Sequence, residues 1–282
     1  MNEFRIVCDS ACDLSREMLC ERNVTCVPLS YSLEGTSEAD KANFYDEMRS
    51  GRVAKTSGAN AEDFLAVFTP ILTEGKDILY LGFSSALSMT YNSARIAKDE
   101  LQKDYPERRI ITIDSLSASA GIALLLDRLL TFSDLDEAAL YAERTKLKIC
   151  HLFTVDNLDY LRRGGRISPT TAIVGNMLGI KPMLYVDNSG RLIPWSKVRG
   201  RHRSIERLAE DFGMLHEEKD VYISHADCLH DAETLCEILI AKYDARVRLI
   251  TNIGPVIGSH SGPGTLALFF IGRERPPSKT GD

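Results

Sequence analysis

The chain has 282 residues, 44% of them hydrophobic and 26% charged, and its formal net charge is −6 at pH 7. This length suits two domains of about 100–150 residues each, and the acidic balance gives a nucleic-acid partner no electrostatic support. The sequence has no run of the roughly 18 apolar residues that a membrane span needs, so we expect at most transient membrane contact. The seven cysteines, an odd number, favour a reducing, cytoplasmic compartment.

In the first half of the chain, short apolar strands alternate with amphipathic helices. The pattern predicts strands over 4–8, 24–29, 77–83 and 109–113. Helices are predicted from Asp13 onward and over 42–50, 61–72, 90–105, 118–130 and 135–148. This alternation favours an N-terminal domain, residues 1–148, built on a mostly parallel, Rossmann-like sheet.

The second half contains a second α/β unit, assigned to residues 149–275. Strands are predicted over 151–155, 182–186, 192–198, 221–224, 246–250 and 264–271, and helices over 156–162, 168–177, 203–215 and 231–243. The strands 182–186 and 192–198 are expected to form a hairpin about 187–190. The chain is expected to fray from Arg273, and 276–282 is assigned as a flexible tail.

Small hydroxyl residues gather where the predicted strands end. They are Ser10, Thr56, Ser57, Ser84, Ser85 and Ser115. In open α/β sheets, ligands bind at the carboxyl ends of strands, where helix N-termini supply free N–H groups. Each hydroxyl taken alone could simply cap a helix. Because several are expected to converge, an anion site at this edge is the favoured interpretation.

Four glycines and two prolines within 254–264 predict a tight loop that can approach a ligand closely. Its single histidine, His260, could donate to an anion, act as a general base or bond the backbone. The loop does not match a P-loop, and no Gly-x-Gly-x-x-Gly follows the first strand. Another segment, 158–167, ends a predicted helix with arginines and glycines. Arg166 lies beyond that turn and is the arginine to which we assign a functional contact.

The sequence offers little support for metal or nucleophile chemistry. Residues 225–231 contain several possible metal ligands but match no standard spacing, so we expect no metal. A Gly-x-Ser-x-Gly nucleophile motif is absent.

Taken in order, these motifs resemble those of the DegV family of bacterial fatty-acid-binding proteins, some of which are acyl-carrying subunits of fatty acid kinase. The resemblance runs from about residue 4 to residue 273. Its most specific segments are DSACDL at 9–14, TS at 56–57, SSALSMTYNSA at 84–94, DS at 114–115, LRRGGRI at 161–167, KP at 181–182, KVR at 197–199 and HSGPG at 260–264. The sequence departs from the family pattern at Met89, where glycine is usual, and at 58–60.

The resemblance implies an α/β fold of two domains, the second with a mixed sheet, and an acyl tunnel near their interface. It implies a long-chain fatty acid such as palmitate as ligand, no cofactor or metal, and no catalytic machinery. A separate ATP-dependent kinase would phosphorylate the bound acid for phospholipid synthesis. The implied carboxylate ligands are Thr56, Ser57, Ser84, Ser85 and His260. The residues expected outside the tunnel, facing either the kinase or solvent alone, are Arg166, Arg199 and Arg201.

Two other functions remain open from the residues alone. One is a small hydrolase or phosphotransferase that uses Ser84, Ser85 and His260, although no third group that would orient a base is evident. The other is a binding module for a different anion, such as a sugar phosphate. In the fatty-acid carrier, replacing Ser85 with alanine should weaken acid binding.

Overall fold

The computed structural model describes residues 4–35, 44–168 and 179–276. Helices and strands alternate along most of these ranges, as the sequence predicts. The strands are β1 Phe4–Asp9, β2 Thr25–Val27, β3 Ser30–Leu33, β4 Ala54–Ser57, β5 Asp77–Gly82, β6 Ile110–Asp114, β7 Ile149–Thr154, β8 Ile180–Val186, β9 Leu192–Arg199, β10 His216–His225, β11 Arg246–Asn252 and β12 Leu266–Gly272. The helices are α1 Arg16–Glu21, α2 Phe44–Arg49, α3 Ala61–Thr73, α4 Thr90–Asp104, α5 Ala120–Leu129, α6 Leu135–Thr145, α7 Asp159–Arg163, α8 Arg201–Leu215, α9 Leu229–Tyr243 and α10 Pro255–Ser261.

The first half forms a four-stranded parallel sheet in the order β2-β1-β5-β6. Its central strand β5 is buried from Ile78 to Gly82, because helices cover both faces of a parallel sheet. On one face, Phe64 and Phe68 of α3 pack around Tyr80. The predicted parallel sheet is confirmed.

The second half forms a six-stranded sheet in the order β11-β10-β12-β7-β8-β9. Only β10 and β11 pair in parallel, and the other neighbours are antiparallel, so the sheet is mixed, as expected. The hairpin β8–β9 turns at 187–191, close to the predicted position. Helices α8 and α9 pack on one face of this sheet around Phe212 and Leu235.

Helix α5 joins the two halves. Eight of its ten residues are buried, and the other two, Asp127 and Arg128, are half-buried. It contacts β5 of the first sheet and β7, β10 and β12 of the second. One hydrophobic core therefore includes residues from both sheets, and the domain boundary at residue 148 stays a prediction.

Two sequence predictions are wrong. The glycine-rich segment is largely helical: Pro255 occupies the first turn of α10, where a missing N–H costs nothing, and the N–H of Gly254 donates to Oδ1 of Asp13 at 2.9 Å. The chain is also ordered beyond Arg273. Arg275 is buried because its guanidinium donates to the carbonyls of Ile149, Asp187 and Lys146.

Some predictions fall on other parts of the chain. The helix predicted over 168–177 lies outside the described residues, except for Ser168. Residues 277–282 of the predicted tail and the first two residues of the helix predicted over 42–50 also lie outside them. Among the described helices, none combines the length and the apolar character needed to cross a bilayer.

Candidate functional site

A cavity lies between loops that follow the strands of the first sheet and one face of the second sheet. The space between its wall atoms, counted together with the open solvent at its entrance, is about 850 Å³. Most of its wall is apolar. Its apolar lining includes Leu29, Phe83, Phe153, Val186, Leu192 and Phe269.

The cavity has a polar end where it meets a surface cleft. Thr56, Arg166 and His260 line both the cavity and the cleft, and we call these three residues the mouth. Thr56 lies in β4, opposite Tyr31 of β3, whereas His260 lies in the last turn of α10. Oγ1 of Thr56 is 2.7 Å from Nε2 of His260. Two residues separated by 204 positions in sequence are thus brought together, as the resemblance implies.

The imidazole of His260 is neutral and fixed at the mouth. Burial and the nearby Arg166 guanidinium lower the pKa of His260 to about 4. The ring sits against Gly164, where a Cβ atom would lie 2.2 Å from Nδ1. Nδ1 is buried and has no hydrogen-bond partner within the described ranges. The His260 ring is therefore not oriented by a third group, as the base of a hydrolytic triad would be.

Arg166 lies in the wall of the cavity as well as in the cleft outside it, so it is not confined to the outside of the tunnel, and its contact with a kinase stays a prediction. Its Nε and Nη2 atoms donate to the carbonyl of Leu87 at 3.1 and 3.0 Å, and Nη1 donates to the carbonyl of Gly164. Burial lowers the pKa of Arg166 from its usual value. No carboxylate of the described residues forms an ion pair with it. A half-buried cation that bonds only to carbonyls can attract an anion to the mouth.

Ser84 and Ser85 do not contribute their hydroxyls to the cavity, contrary to the expectation. Ser84 is fully buried, and its hydroxyl donates to the carbonyl of Gly190 at 3.0 Å. Ser85 is exposed, and its backbone N–H donates to Asp114 at 3.2 Å. The backbone of this segment instead supports the wall, because the carbonyl of Ser84 accepts from the N–H groups of Leu87 and Ser88.

Two further hydroxyls of the cavity wall belong to Ser57 and Ser88. The sequence indicates Ser57 as a site residue, but it indicates Ser88 only as a member of the motif at 84–94. Gly58 allows these segments to pack closely, because a Cβ atom there would lie 2.8 Å from Oγ1 of Thr90 and 3.1 Å from Oγ of Ser88. The close approach of two loops gives no signal in a single sequence.

The two departures from the family pattern have local explanations. Asn60 and Asp63 form a capping box at the start of α3. Asn60 is the N-cap residue, a position that asparagine fills well. Met89 has a φ angle of −76°, which any residue can adopt, so the backbone does not require glycine at this position.

The other two arginines lie away from the mouth. Arg199 is exposed at the end of β9. Arg201 is engaged with acidic neighbours: its Nη2 lies 2.8 Å from Asp231, and its Nη1 lies 3.6 Å from Asp156. Neither arginine lines the cleft, and contact with a kinase stays a prediction for both.

The cleft beside the mouth is basic. Its charged lining residues are Arg52, Lys55, Arg163 and Arg166. Three of them are balanced in part by nearby oxygen atoms: Arg52 pairs with Glu47, Lys55 pairs with Glu34, and Arg163 bonds to a backbone carbonyl. The lining itself contains no carboxylate. The cavity therefore opens into a positively charged surface depression. Across the described ranges, no cluster of three or more metal-ligand side chains is found.

Comparison with known proteins identifies the family of this chain. A family model described as an uncharacterised protein of the DegV family matches residues 3–273. This chain belongs to the DegV family. A DegV domain-containing protein of Clostridium perfringens is 40% identical, with 98% of this chain and all of that protein covered.

Solved structures of DegV proteins share the fold. A DegV lipid-binding protein from Thermotoga maritima is 30% identical, covers 98% of this chain and all of its own, and superposes with a TM-score of 0.82. A stearic acid-binding protein from Eubacterium ventriosum is 26% identical, with 96% and 98% of the two chains covered and a TM-score of 0.86. These neighbours are described as lipid-binding proteins, and they share the fold of this DegV protein.

Proposed function

We propose that this DegV protein carries one long-chain fatty acid, with its alkyl chain in the apolar cavity and its carboxylate at the mouth. The observation that carries the proposal is the arrangement of the cavity: a mostly apolar chamber that opens, at the polar residues Thr56, Arg166 and His260, into a basic cleft. The protein would act as a binding subunit and not as an enzyme, and would need no cofactor.

Burial of the alkyl chain would provide most of the affinity. Transfer of a methylene group out of water contributes about 0.8 kcal/mol. About fourteen methylenes therefore contribute roughly 11 kcal/mol before the cost of association is subtracted. Aromatic rings of Phe83, Phe153 and Phe269 form part of the wall that would receive the chain.

The carboxylate needs hydrogen-bond donors, because a buried charge without them is costly. Of the residues indicated by the sequence, we propose that Thr56, Ser57 and His260 bind the carboxylate, and we add Ser88 and Arg166. Arg166 would supply the charge, and neutral donors would supply most of the direct bonds. Ser84 and Ser85 would act indirectly, through the backbone that holds Ser88 and Leu87.

The basic cleft supports a kinase as the partner. A carboxylate at the mouth would have one side turned toward Arg52, Lys55 and Arg163, and arginine and lysine bind phosphates well. We propose that the partner places the γ-phosphate of ATP in this cleft. A carboxylate oxygen would then attack the phosphorus, ADP would leave, and an acyl phosphate would form. Because ATP is required, the function would operate in the cytoplasm.

The first test is the identity of the bound molecule. The full chain is purified and examined by native mass spectrometry, and the lipid is extracted and identified. We expect one C14–C18 fatty acid per chain. A protein that arrives empty, fails to bind stearate after delipidation and hydrolyses an ester instead would overturn the proposal in favour of the hydrolase alternative.

The second test separates the kinase step from lipid binding. Double replacement of Arg52 and Lys55 by glutamate should leave stearate affinity unchanged, because neither residue lines the cavity. It should reduce acyl-phosphate formation by a fatty acid kinase about tenfold or more, since phosphate contacts by arginine and lysine are charge-assisted. Glutamates at Lys103 of α4 and Lys242 of α9, which are exposed, serve as the matched charge control. Equal phosphorylation in both double variants would refute the cleft as the phosphate site.

A further inference from the structure

Among the cavity-lining residues that the proposed function does not use is a buried histidine, His151. His151 lies on β7 and lines the cavity. Its side chain is almost fully buried, since the residue is 2% exposed. Its cross-strand neighbour is Phe269, and the two rings meet edge to face with centroids 5.3 Å apart. A histidine in this position is unexpected, because the surrounding wall has no need of a polar group.

The hydrogen bonding of His151 determines which of its ring nitrogens carries the proton. Nδ1 lies 3.0 Å from the carbonyl oxygen of Ile149. A carbonyl can only accept, so Nδ1 must be the donor. Burial and the nearby Arg275 guanidinium lower the pKa of His151 well below its usual value, so the ring carries a single proton. Nε2 is therefore an unprotonated acceptor.

Nε2 of His151 has no hydrogen-bond partner within the described ranges. Two of the hydroxyls in the cavity wall are engaged elsewhere, since that of Ser119 donates to Asp13 at 2.5 Å and that of Thr265 lies within 2.9 Å of the carbonyls of Ser261 and Gly262. The hydroxyl of Ser261 also lines the cavity and has no partner in the described part of the chain. The ring is also held in place, because a Cβ atom at Gly121 would lie 2.3 Å from Nε2. A buried acceptor without a donor is unfavourable and uncommon in native structures.

The position of His151 along the cavity indicates which part of a ligand would reach it. His151 lies three residues before the end of β7 at Thr154, which is about 10 Å at the rise of a strand. His151 lines the cavity but not the cleft, whereas the three mouth residues line both. An acid held at the mouth would therefore bring the middle or the far part of its chain to His151.

We infer that this cavity selects an acyl chain that carries a hydroxyl group in its middle or distal part, with the hydroxyl donating to Nε2 of His151. The inference rests on the proposed fatty-acid function and specifies the ligand class. Because Nε2 only accepts, the matching group on the ligand must be a donor. An oxo group at the same carbon cannot fill this role.

The test compares ligands on the unmodified, delipidated protein. Dissociation constants are measured for stearate, for stearates with one hydroxyl at successive mid-chain and distal carbons, and for the corresponding oxo-stearates. We expect at least one hydroxystearate to bind about as tightly as stearate or more tightly, and at least tenfold more tightly than its oxo counterpart. If every oxo acid binds as well as its hydroxy counterpart, the inference is wrong. If stearate itself fails to bind, the proposed function is wrong instead.

A pair of variants assigns the effect to His151. His151→Leu removes the acceptor and should reduce the preference for the hydroxy over the oxo acid at least tenfold, a ratio that does not depend on how the change affects stearate itself. His151→Gln restores an acceptor oxygen and should recover part of the preference. An unchanged preference in His151→Leu would overturn the role of His151. The ligand comparison on the unmodified protein decides the matter if either variant fails to fold.

Discussion

The Thr56–Ser57 and Ser84–Ser85 segments look equivalent in sequence and differ in the structure. Each places two hydroxyl residues close to the end of a strand. The first segment faces the cavity, where Oγ1 of Thr56 meets His260. In the second, the hydroxyl of Ser84 bonds the hairpin β8–β9 at Gly190, and Ser85 faces solvent. Whether a hydroxyl can meet a ligand therefore depends on tertiary packing, which places it in the cavity wall, against another segment or in solvent.

The largest expected effect concerns Asp13, which holds the start of α10, the helix that carries His260. Its carboxylate bonds Gly254 at the start of α10 and Ser119 beside the cavity. Burial raises the pKa of Asp13 from 3.8 to about 7. A raised pKa means that the folded state binds the proton more tightly, so this contribution to stability is complete below pH 4 and is lost as the pH rises through 7.

Asp13→Asn should remove this pH dependence. Roughly three pKa units at about 1.4 kcal/mol each set an upper bound near 4 kcal/mol. Urea unfolding of both delipidated proteins at pH 4 to 8 measures this pH dependence. The free energy of unfolding of the wild type should fall relative to that of the variant as the pH rises. Tyr45, which also faces Asp13, has a pKa raised above its usual value and stays protonated throughout. Parallel stability curves would contradict the assignment.

The second largest expected effect compares a hydroxyl of the Thr56–Ser57 segment with one of the Ser84–Ser85 segment. Thr56→Val removes a mouth hydroxyl with little change in volume, whereas Ser85→Ala removes an exposed one. A hydrogen bond to a charged group contributes about 1.5–3 kcal/mol, so Thr56→Val should weaken stearate binding roughly 10- to 100-fold. Ser85→Ala should change it less than about twofold, contrary to what the family resemblance implies. Titration calorimetry measures both, and a large loss in Ser85→Ala alone would reverse the comparison.

A steric change at Gly164 probes the position of His260 without altering any donor. The Cβ atom in Gly164→Ala would displace the imidazole from Thr56, and we expect about a tenfold loss of stearate affinity, near the upper range for one hydrogen bond. Gly165→Ala is the control. Gly165 has a φ angle of +70° and open space around its Cβ position, so this change should cost about 1 kcal/mol of stability and leave affinity intact. Equal affinities would show that the His260 geometry does not matter.

The smallest effect belongs to Ser84. Its replacement by alanine leaves the buried carbonyl of Gly190 without its donor, which should lower the free energy of unfolding by about 1–2 kcal/mol. Stearate affinity should change little, because the hydroxyl does not line the cavity. Thermal unfolding and calorimetry on the same samples separate the two quantities. A loss of affinity with unchanged stability would place Ser84 back among the carboxylate ligands.

Local pattern was enough to predict most of the fold. The strand β5 is a continuous apolar run, α4 has helical periodicity, and the hairpin at 187–190 has turn residues between two strands. Each of these signals lies within about fifteen residues, the scale on which period and turn chemistry act. The helix α10 was mistaken for a loop because its glycines and prolines outweigh its short periodicity, although Pro255 at its first turn is a helix-start signal.

Sequence patterns did not predict β3 and β4, the second of which carries Thr56, but they were enough to predict the α/β class, the order of most elements and the residue types available to an anion. The tertiary structure alone decided which of them share a site. Arg166 belongs to the mouth because its guanidinium turns back to Leu87, and Ser84 does not because Gly190 accepts its hydrogen bond. Both outcomes depend on contacts between residues 79 and 106 positions apart. No local pattern reports such contacts, since they arise only when distant segments pack around a common core.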